Sequence, residues 1–144
     1  MLPTSLPDNL NFTPALRPIY NNGVPVDPSM GQFVVNQKTG EPLSIVGGRY
    51  IPTPYALLYE NMIDGLQSSD LDLSDATAKF TSINNGSAMS ALITLPKYNF
   101  KHIIGEPTAV AIRMDNSVDG TVKYNVRASV LRLFCLNLQS SMAE

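Results

Sequence analysis

The chain has 144 residues, the size of one ordinary domain, and 44% of them are hydrophobic, which excludes a disordered chain. No apolar run approaches the roughly 18 residues that a membrane-crossing helix needs, and the first segment, MLPTSLPDNLNF, lacks the basic and apolar regions of a signal peptide. The only cysteine, Cys135, excludes an internal disulfide bond, so we expect a cytoplasmic protein. The net charge is −2, yet residues 76–144 carry seven basic and four acidic side chains, which permits a local positive surface.

The N-terminal segment is rich in proline, since six of the eleven prolines lie in residues 1–31. Proline lacks an N–H donor and fixes φ, so this density disfavours helices and central strands. We therefore expect an extended arm over residues 1–31 that is either loosely docked or clasps a neighbouring subunit. A single α+β domain is expected over residues 32–144.

A β-hairpin and a helix are predicted first in that domain. The strand sequences QFVVN, from Gln32, and LSIV flank the turn sequence QKTGEP. Thr53 and Pro54 fit the N-cap and the first position of a helix that runs through YALLYENMID and ends at Gly65. Residues 66–75 then form a polar, acidic connection.

Three or four antiparallel strands are expected in the rest of the chain. ATAKFTSIN and SAMSALITLP flank Asn85-Gly86, a dipeptide typical of tight hairpin turns, and Pro96 is expected to end the second strand. KYNFKHIIGE is interpreted as a loop, PTAVAIRM as a strand, DNSVDG as a turn and TVKYNVRASVLRLFCLNL as a long final element. The predicted fold class is therefore α+β, with a short hairpin and one main helix packed on an antiparallel meander, whose other face is left for binding.

Catalytic and cofactor motifs are missing from the sequence. There is no Walker-type phosphate loop and no GxGxxG sequence after a strand. His102 is the only histidine, and Cys135 lies among leucines as a buried thiol would, so neither a metal site nor a nucleophile pair is predicted. The carboxylates of residues 60–75 lack the spacing of a calcium loop. We therefore predict a binding protein that is not an enzyme and that needs neither cofactor nor metal.

The first feature that favours nucleic-acid binding is the segment KYNFKH. In it Lys97 and Lys101 alternate with Tyr98 and Phe100. Proteins that hold single-stranded nucleic acid use cations to neutralise phosphates and aromatic rings to stack on unpaired bases. The alternative is an ordinary loop whose two aromatic rings fill the core.

The second feature is the alternation of polar and apolar residues before residue 129. It places Lys123, Asn125 and Arg127 on one face of a strand, to which Arg113 and Lys79 add cations from nearby strands. A sheet face that carries several cations can follow a phosphate backbone. The alternative is a solvated face on which lysine and arginine are common.

Four segments in order resemble a family of phage- and plasmid-borne proteins of unknown function: TGEPLSIVGGRYIPTPYALLYENMID, ALITLP, NSVDGT and RLFCLN. The resemblance covers residues 38–138. The order of elements also resembles, more weakly, the core of phage single-strand annealing proteins of the Red beta and Erf type. That second resemblance implies a protein that works without ATP, assembles into rings or filaments, and holds single-stranded DNA in a basic groove.

Our preferred hypothesis is therefore a homo-oligomeric single-stranded-DNA-binding or annealing protein of a phage or mobile element, acting in recombination. Its phosphate contacts would be Lys97, Lys101, Arg113, Lys123 and Arg127, with Lys79 on a neighbouring strand, and Tyr98 and Phe100 would stack on bases. The alternative is a phage protein-interaction module that inhibits a host restriction or CRISPR system through its acidic half. A small virion component is a third hypothesis, which the proline-rich segment suggests.

Overall fold

The structure is a computed structural model that describes residues 2–101 and 107–132. At residues 100, 101, 107 and 129–132 it describes the backbone and not the side chain. Antiparallel sheets and one helix make up the regular structure of the described residues, so the predicted α+β class is confirmed. His102, Cys135 and the end of the predicted final element lie outside the described residues.

Two small sheets precede the helix, and a larger sheet follows it. In chain order the elements are β1 (Pro14–Arg17), β2 (Tyr20–Asn21), β3 (Val24–Pro25), a 3-10 turn (Pro28–Met30), β4 (Gln32–Asn36), β5 (Pro42–Val46), α1 (Tyr55–Gln67), β6 (Thr77–Ile83), β7 (Ala88–Lys101), β8 (Pro107–Ser117) and β9 (Asn125–Arg132). The strand orders are β1-β4-β5, β2-β3 and β6-β7-β8-β9. The hairpin predicted from Gln32 is thus present as β4 and β5.

The N-terminal segment is part of the folded unit and not a separate arm, which corrects the boundary predicted at residue 31. β1 pairs with β4 along its whole length. Leu2, Leu6, Leu10 and Phe12 are buried in the same core as α1 and the large sheet. The prolines between them prevent a helix, but burial of the apolar side chains still stabilises docking of the segment.

The ends of α1 differ from those predicted. Pro54, and not Thr53, is the N-cap residue, and no side chain caps the helix. Gly65 lies inside the helix, and the N–H of Ser68 donates to the carbonyl of Asp64 at 3.0 Å. A glycine in a helix costs about 1 kcal/mol relative to alanine, and packing of the buried helix face offsets that cost.

The large sheet is the predicted antiparallel meander, and its first turn is fixed by backbone conformation. Asn84, Asn85 and Gly86 have positive φ values of 50°, 58° and 90°, which asparagine and glycine adopt more easily than other residues. The hydroxyl of Tyr55 donates to the carbonyl of Gly86 at 2.8 Å. This bond ties the turn to the start of α1.

β7 continues past Pro96, although the sequence predicts that it ends there. The register with β8 shifts between Leu95 and Asn99, so a bulge removes residues 96–98 from the ladder. Proline has no N–H to donate, and a bulge is a place where the strand needs no donor. The side-chain amide of Asn99 donates to the carbonyl of Pro96 at 2.6 Å and closes the bulge.

β8 extends through the first residues of the predicted turn DNSVDG, and β9 begins only at Asn125. Ser117 clamps the loop between them, because its hydroxyl donates to the carbonyl of Val122 at 2.9 Å and accepts from the N–H of Val122 at 3.0 Å. Lys123 therefore lies in the loop. The alternation predicted it on a strand, and that prediction is wrong.

α1 packs on one face of the large sheet. Directly paired residues of neighbouring strands point to the same face, and the register places Phe80, Ala91 and Met114 together. The Phe80 ring meets the Tyr59 ring edge to face, with centroids 5.4 Å apart. Since side chains alternate along a strand, the residues next to these point away from α1.

Candidate nucleic-acid interface

Three of the predicted cations lie on the helix-free face, which is the face of the large sheet that points away from α1. The register pairs Lys79 with Leu92, Leu92 with Arg113, and Arg113 with Arg127. These four residues form one row across β6, β7, β8 and β9, hereafter the cationic row. Neighbouring strands are about 4.8 Å apart, so the row spans roughly 14 Å.

One carboxylate, that of Asp115, lies beside the cationic row. It accepts from Nε of Arg113 at 3.0 and 3.1 Å and lies 3.7 Å from an Nη of Arg127. The Asp115 side chain is only 12% exposed, whereas that of Arg127 is 59% exposed and Lys79 is exposed as well. The carboxylate thus contacts both guanidinium groups, and the two most exposed side chains among Lys79, Arg113, Asp115 and Arg127 are the cations Lys79 and Arg127.

Exposure on the helix-free face is concentrated on its outer strands. Thr94, Ala109 and Ala111 on the inner strands are buried. Leu92 and Arg113 are partly exposed and connect the exposed Lys79 to the exposed Arg127. The cationic row is therefore most accessible at its two ends, Lys79 and Arg127, and partly covered between them.

Lys97 and Tyr98 do not join the cationic row. Nζ of Lys97 lies 2.6 Å from a carboxylate oxygen of Asp72 and 2.7 Å from the hydroxyl of Ser74. The hydrogen bond from Lys97 holds the pKa of Asp72 well below its usual range, and the same contact raises the pKa of Lys97. Tyr98 is half-buried against the core, and its hydroxyl accepts from the N–H of Asp72 at 2.6 Å. For Tyr98, this arrangement agrees with the alternative interpretation, in which the aromatic rings of the segment fill the core.

The other two residues of that predicted segment are described only by their backbone. Phe100 and Lys101 pair with Thr108 and Pro107 in the ladder of β7 and β8. The segment is therefore strand and bulge as far as Lys101, and not a loop.

A cleft of about 550 Å³ opens on the helix side of the sheet, beside the loop between β8 and β9. Its lining includes Tyr50, Leu58, Asn116, Lys123 and Tyr124. Of these, only Lys123 was singled out from the sequence. The sequence signal for Asn116 and Tyr124 is the polar turn NSVDGT, which Val122, a lysine and a tyrosine follow, whereas the approach of Tyr50 depends on a long-range contact.

The Tyr50 contact is a hydrogen bond from its hydroxyl to the carbonyl of Ser117 at 3.1 Å. It holds the tyrosine ring at the end of β8. Because Ser117 also clamps the following loop, the cleft is bordered by fixed backbone on two sides. Such preorganisation reduces the entropy lost when a ligand binds.

Within residues 2–101 and 107–132, no group of three or more His, Cys, Asp or Glu side chains is placed to hold a metal ion. In the same part of the chain, no helix is both long and apolar enough to cross a membrane. Comparison of the chain with protein-family models, with curated proteins and with solved structures gives no match.

Proposed function

We propose that the protein binds single-stranded DNA across its helix-free face and catalyses no reaction. The single observation that carries the proposal is the cationic row of Lys79, Leu92, Arg113 and Arg127. Cations at several positions along a groove or sheet face neutralise successive phosphates of a flexible strand. Leu92, between Lys79 and Arg113, offers an apolar surface to a base or sugar.

The charge around the row supports binding of an anionic polymer. Among the described residues, the row has three cations and the Asp115 carboxylate contacts two of them, so these four groups sum to +2. Asp115 is bound to both arginines and is largely buried, so its repulsion of a phosphate is small compared with the attraction of the exposed Lys79 and Arg127. The chain as a whole is acidic, so we expect binding confined to this face and sensitive to salt.

The biological setting follows from the resemblances described above and belongs to the same proposal. The protein would act in the host cytoplasm, in recombination of a phage or mobile element, by holding single strands for pairing without ATP. Several copies would form a ring or filament in which the cationic rows follow one another along the DNA.

Inhibition of a host nuclease through the acidic half of the chain receives less support. That hypothesis needs free carboxylates in the connection before β6. Asp72, in the middle of the connection, is instead paired with Lys97 and accepts from the N–H of Ser74. A mimic of nucleic acid would keep such charges available to its partner.

Fluorescence anisotropy with a labelled oligothymidylate tests the proposal. The unmodified protein should bind with an affinity that falls with salt, at a slope of roughly −2 in log affinity against log salt for three phosphate contacts. Lys79→Glu combined with Arg127→Glu should weaken binding about tenfold or more and flatten the slope, since two contacts become repulsive.

The matched control is Arg17→Glu combined with Lys38→Glu, which makes the same change in net charge at two exposed cations far from the large sheet in sequence. The control should retain most of the affinity. Equal losses in the two double variants would show that only net charge matters, and binding that ignores salt would remove the proposal.

A further inference from the structure

The cleft beside the loop between β8 and β9 has an unusual buried group, the side-chain amide of Asn116. This residue is 6% exposed and lines the cleft. No hydrogen bond among the described residues involves its side-chain amide. In the same part of the chain, every side-chain polar atom that is sealed from solvent has a hydrogen-bond partner. The amide therefore opens into the cleft, where its donor and acceptor are accessible.

Two tyrosines and a lysine complete the lining. Tyr50 is half-buried and fixed by its bond to Ser117, and the Tyr124 side chain at the opposite end of the loop is exposed. Lys123 is exposed at the rim. The cleft thus runs from a polar, buried end to a cationic, open end, with an aromatic ring near each.

We propose that this cleft binds an adenine nucleotide. The side-chain amide of asparagine offers one donor and one acceptor, which match the edge of adenine, and tyrosine rings stack on bases. The ammonium group of Lys123 at the rim neutralises the phosphate. The volume of about 550 Å³ lies within the usual range of small-ligand pockets.

This site is separate from the proposed function. Asn116 lies on the helix side of the sheet, whereas Lys79 and Arg127 lie on the helix-free face. The double variant Lys79→Glu and Arg127→Glu should therefore lose affinity for oligothymidylate and keep its affinity for a mononucleotide. Loss of oligothymidylate binding therefore tests the helix-free face, and loss of mononucleotide binding tests the cleft, each independently of the other.

Calorimetric titration with adenosine monophosphate tests the proposal, with adenosine and ribose 5-phosphate as partial ligands. Adenosine monophosphate should bind most tightly, adenosine about tenfold more weakly because it lacks the phosphate, and ribose 5-phosphate too weakly to measure because it lacks the base. Guanosine monophosphate should bind several-fold more weakly, since the corresponding edge of guanine presents two acceptors and the amide can donate to only one of them. Equal binding of the two nucleotides, or no binding of adenosine monophosphate, would overturn the proposal.

Variants assign each contact. Lys123→Ala should weaken binding of adenosine monophosphate about tenfold and leave adenosine unchanged, while Lys123→Arg should restore the nucleotide. Tyr124→Leu should weaken both ligands about tenfold, and Tyr124→Phe should keep the stacking. Tyr20→Leu, at an exposed tyrosine of β2, is the matched control and should change nothing.

The Asn116 contact needs a separate readout because this side chain is buried. Asn116→Leu keeps the branched shape of the side chain and removes both the donor and the acceptor, so it should abolish the preference for adenine over guanine while the urea midpoint confirms a folded protein. An unchanged preference in a folded Asn116→Leu variant would contradict recognition by this amide.

Discussion

The two faces of the large sheet are built from the same strands, and neighbouring residues on them differ in exposure. Toward α1, Ile93 and Met114 are completely buried in the core. Away from α1, their chain neighbours Leu92 and Arg113 remain partly exposed in the cationic row. A shift of one residue in register would exchange the two sets, so the apolar face fixes the register and the register positions the cations.

The largest expected effect compares neighbouring residues on the two faces. Ile93→Ala should lower the free energy of unfolding by about 2–5 kcal/mol, because it leaves a cavity in a packed core. Leu92→Ala should lower it by roughly 1 kcal/mol or less, because a partly exposed side chain loses less buried area. Urea denaturation measures both, and equal losses would show that the two faces are not distinct.

The next effect concerns the N-terminal segment, which contributes to the core on the helix side only. Leu10 is 1% exposed, so Leu10→Ala should cost about 3 kcal/mol of unfolding free energy. Asn9→Ala, at the exposed residue beside it, should change stability by less than about 0.5 kcal/mol. A small effect of Leu10→Ala would favour the separate arm that the prolines suggest.

The smallest effect separates Lys97 from the cations of the helix-free face. The contact with Lys97 lowers the pKa of Asp72 and raises that of Lys97. Its contribution to the stability of the fold is therefore fully present between the ordinary pKa values of the two groups, about 4 and 10.4. It is lost as pH falls through the lowered pKa of Asp72, or rises through the raised pKa of Lys97. Both side chains are exposed, so Asp72→Asn should change stability little.

An NMR titration of the Asp72 carboxyl carbon checks that contact directly. The carboxyl should titrate below the ordinary range for aspartate, and Lys97→Met should raise its pKa toward that range, while the hydrogen bonds from Ser74 keep part of the lowering. An ordinary value in the unmodified protein would mean that Lys97 is free to join a binding surface.

Local patterns predicted much of the fold. Strand sequences marked β6 and β8, Asn85-Gly86 marked the turn after β6, and alternation placed Asn125 and Arg127 on one face of β9. These features depend on the period of a strand and on turn chemistry, which neighbouring residues determine.

Long-range contacts account for the differences. Pro96 does not end β7 because pairing with β8 resumes after a bulge, which only the partner strand determines. Docking of the leucines near the N-terminus depends on a core formed far away in the chain. The cleft likewise depends on the approach of Tyr50 to Ser117, a contact between residues 67 positions apart.

The most direct test of the central claim is an NMR map of backbone amide shifts on addition of oligothymidylate. We predict that the largest shifts fall on the cationic row, at Lys79, Leu92, Arg113 and Arg127, and that they disappear at high salt. Shifts that concentrate on the Asp72 connection or on the small sheets, with the cationic row unchanged, would contradict binding at the helix-free face.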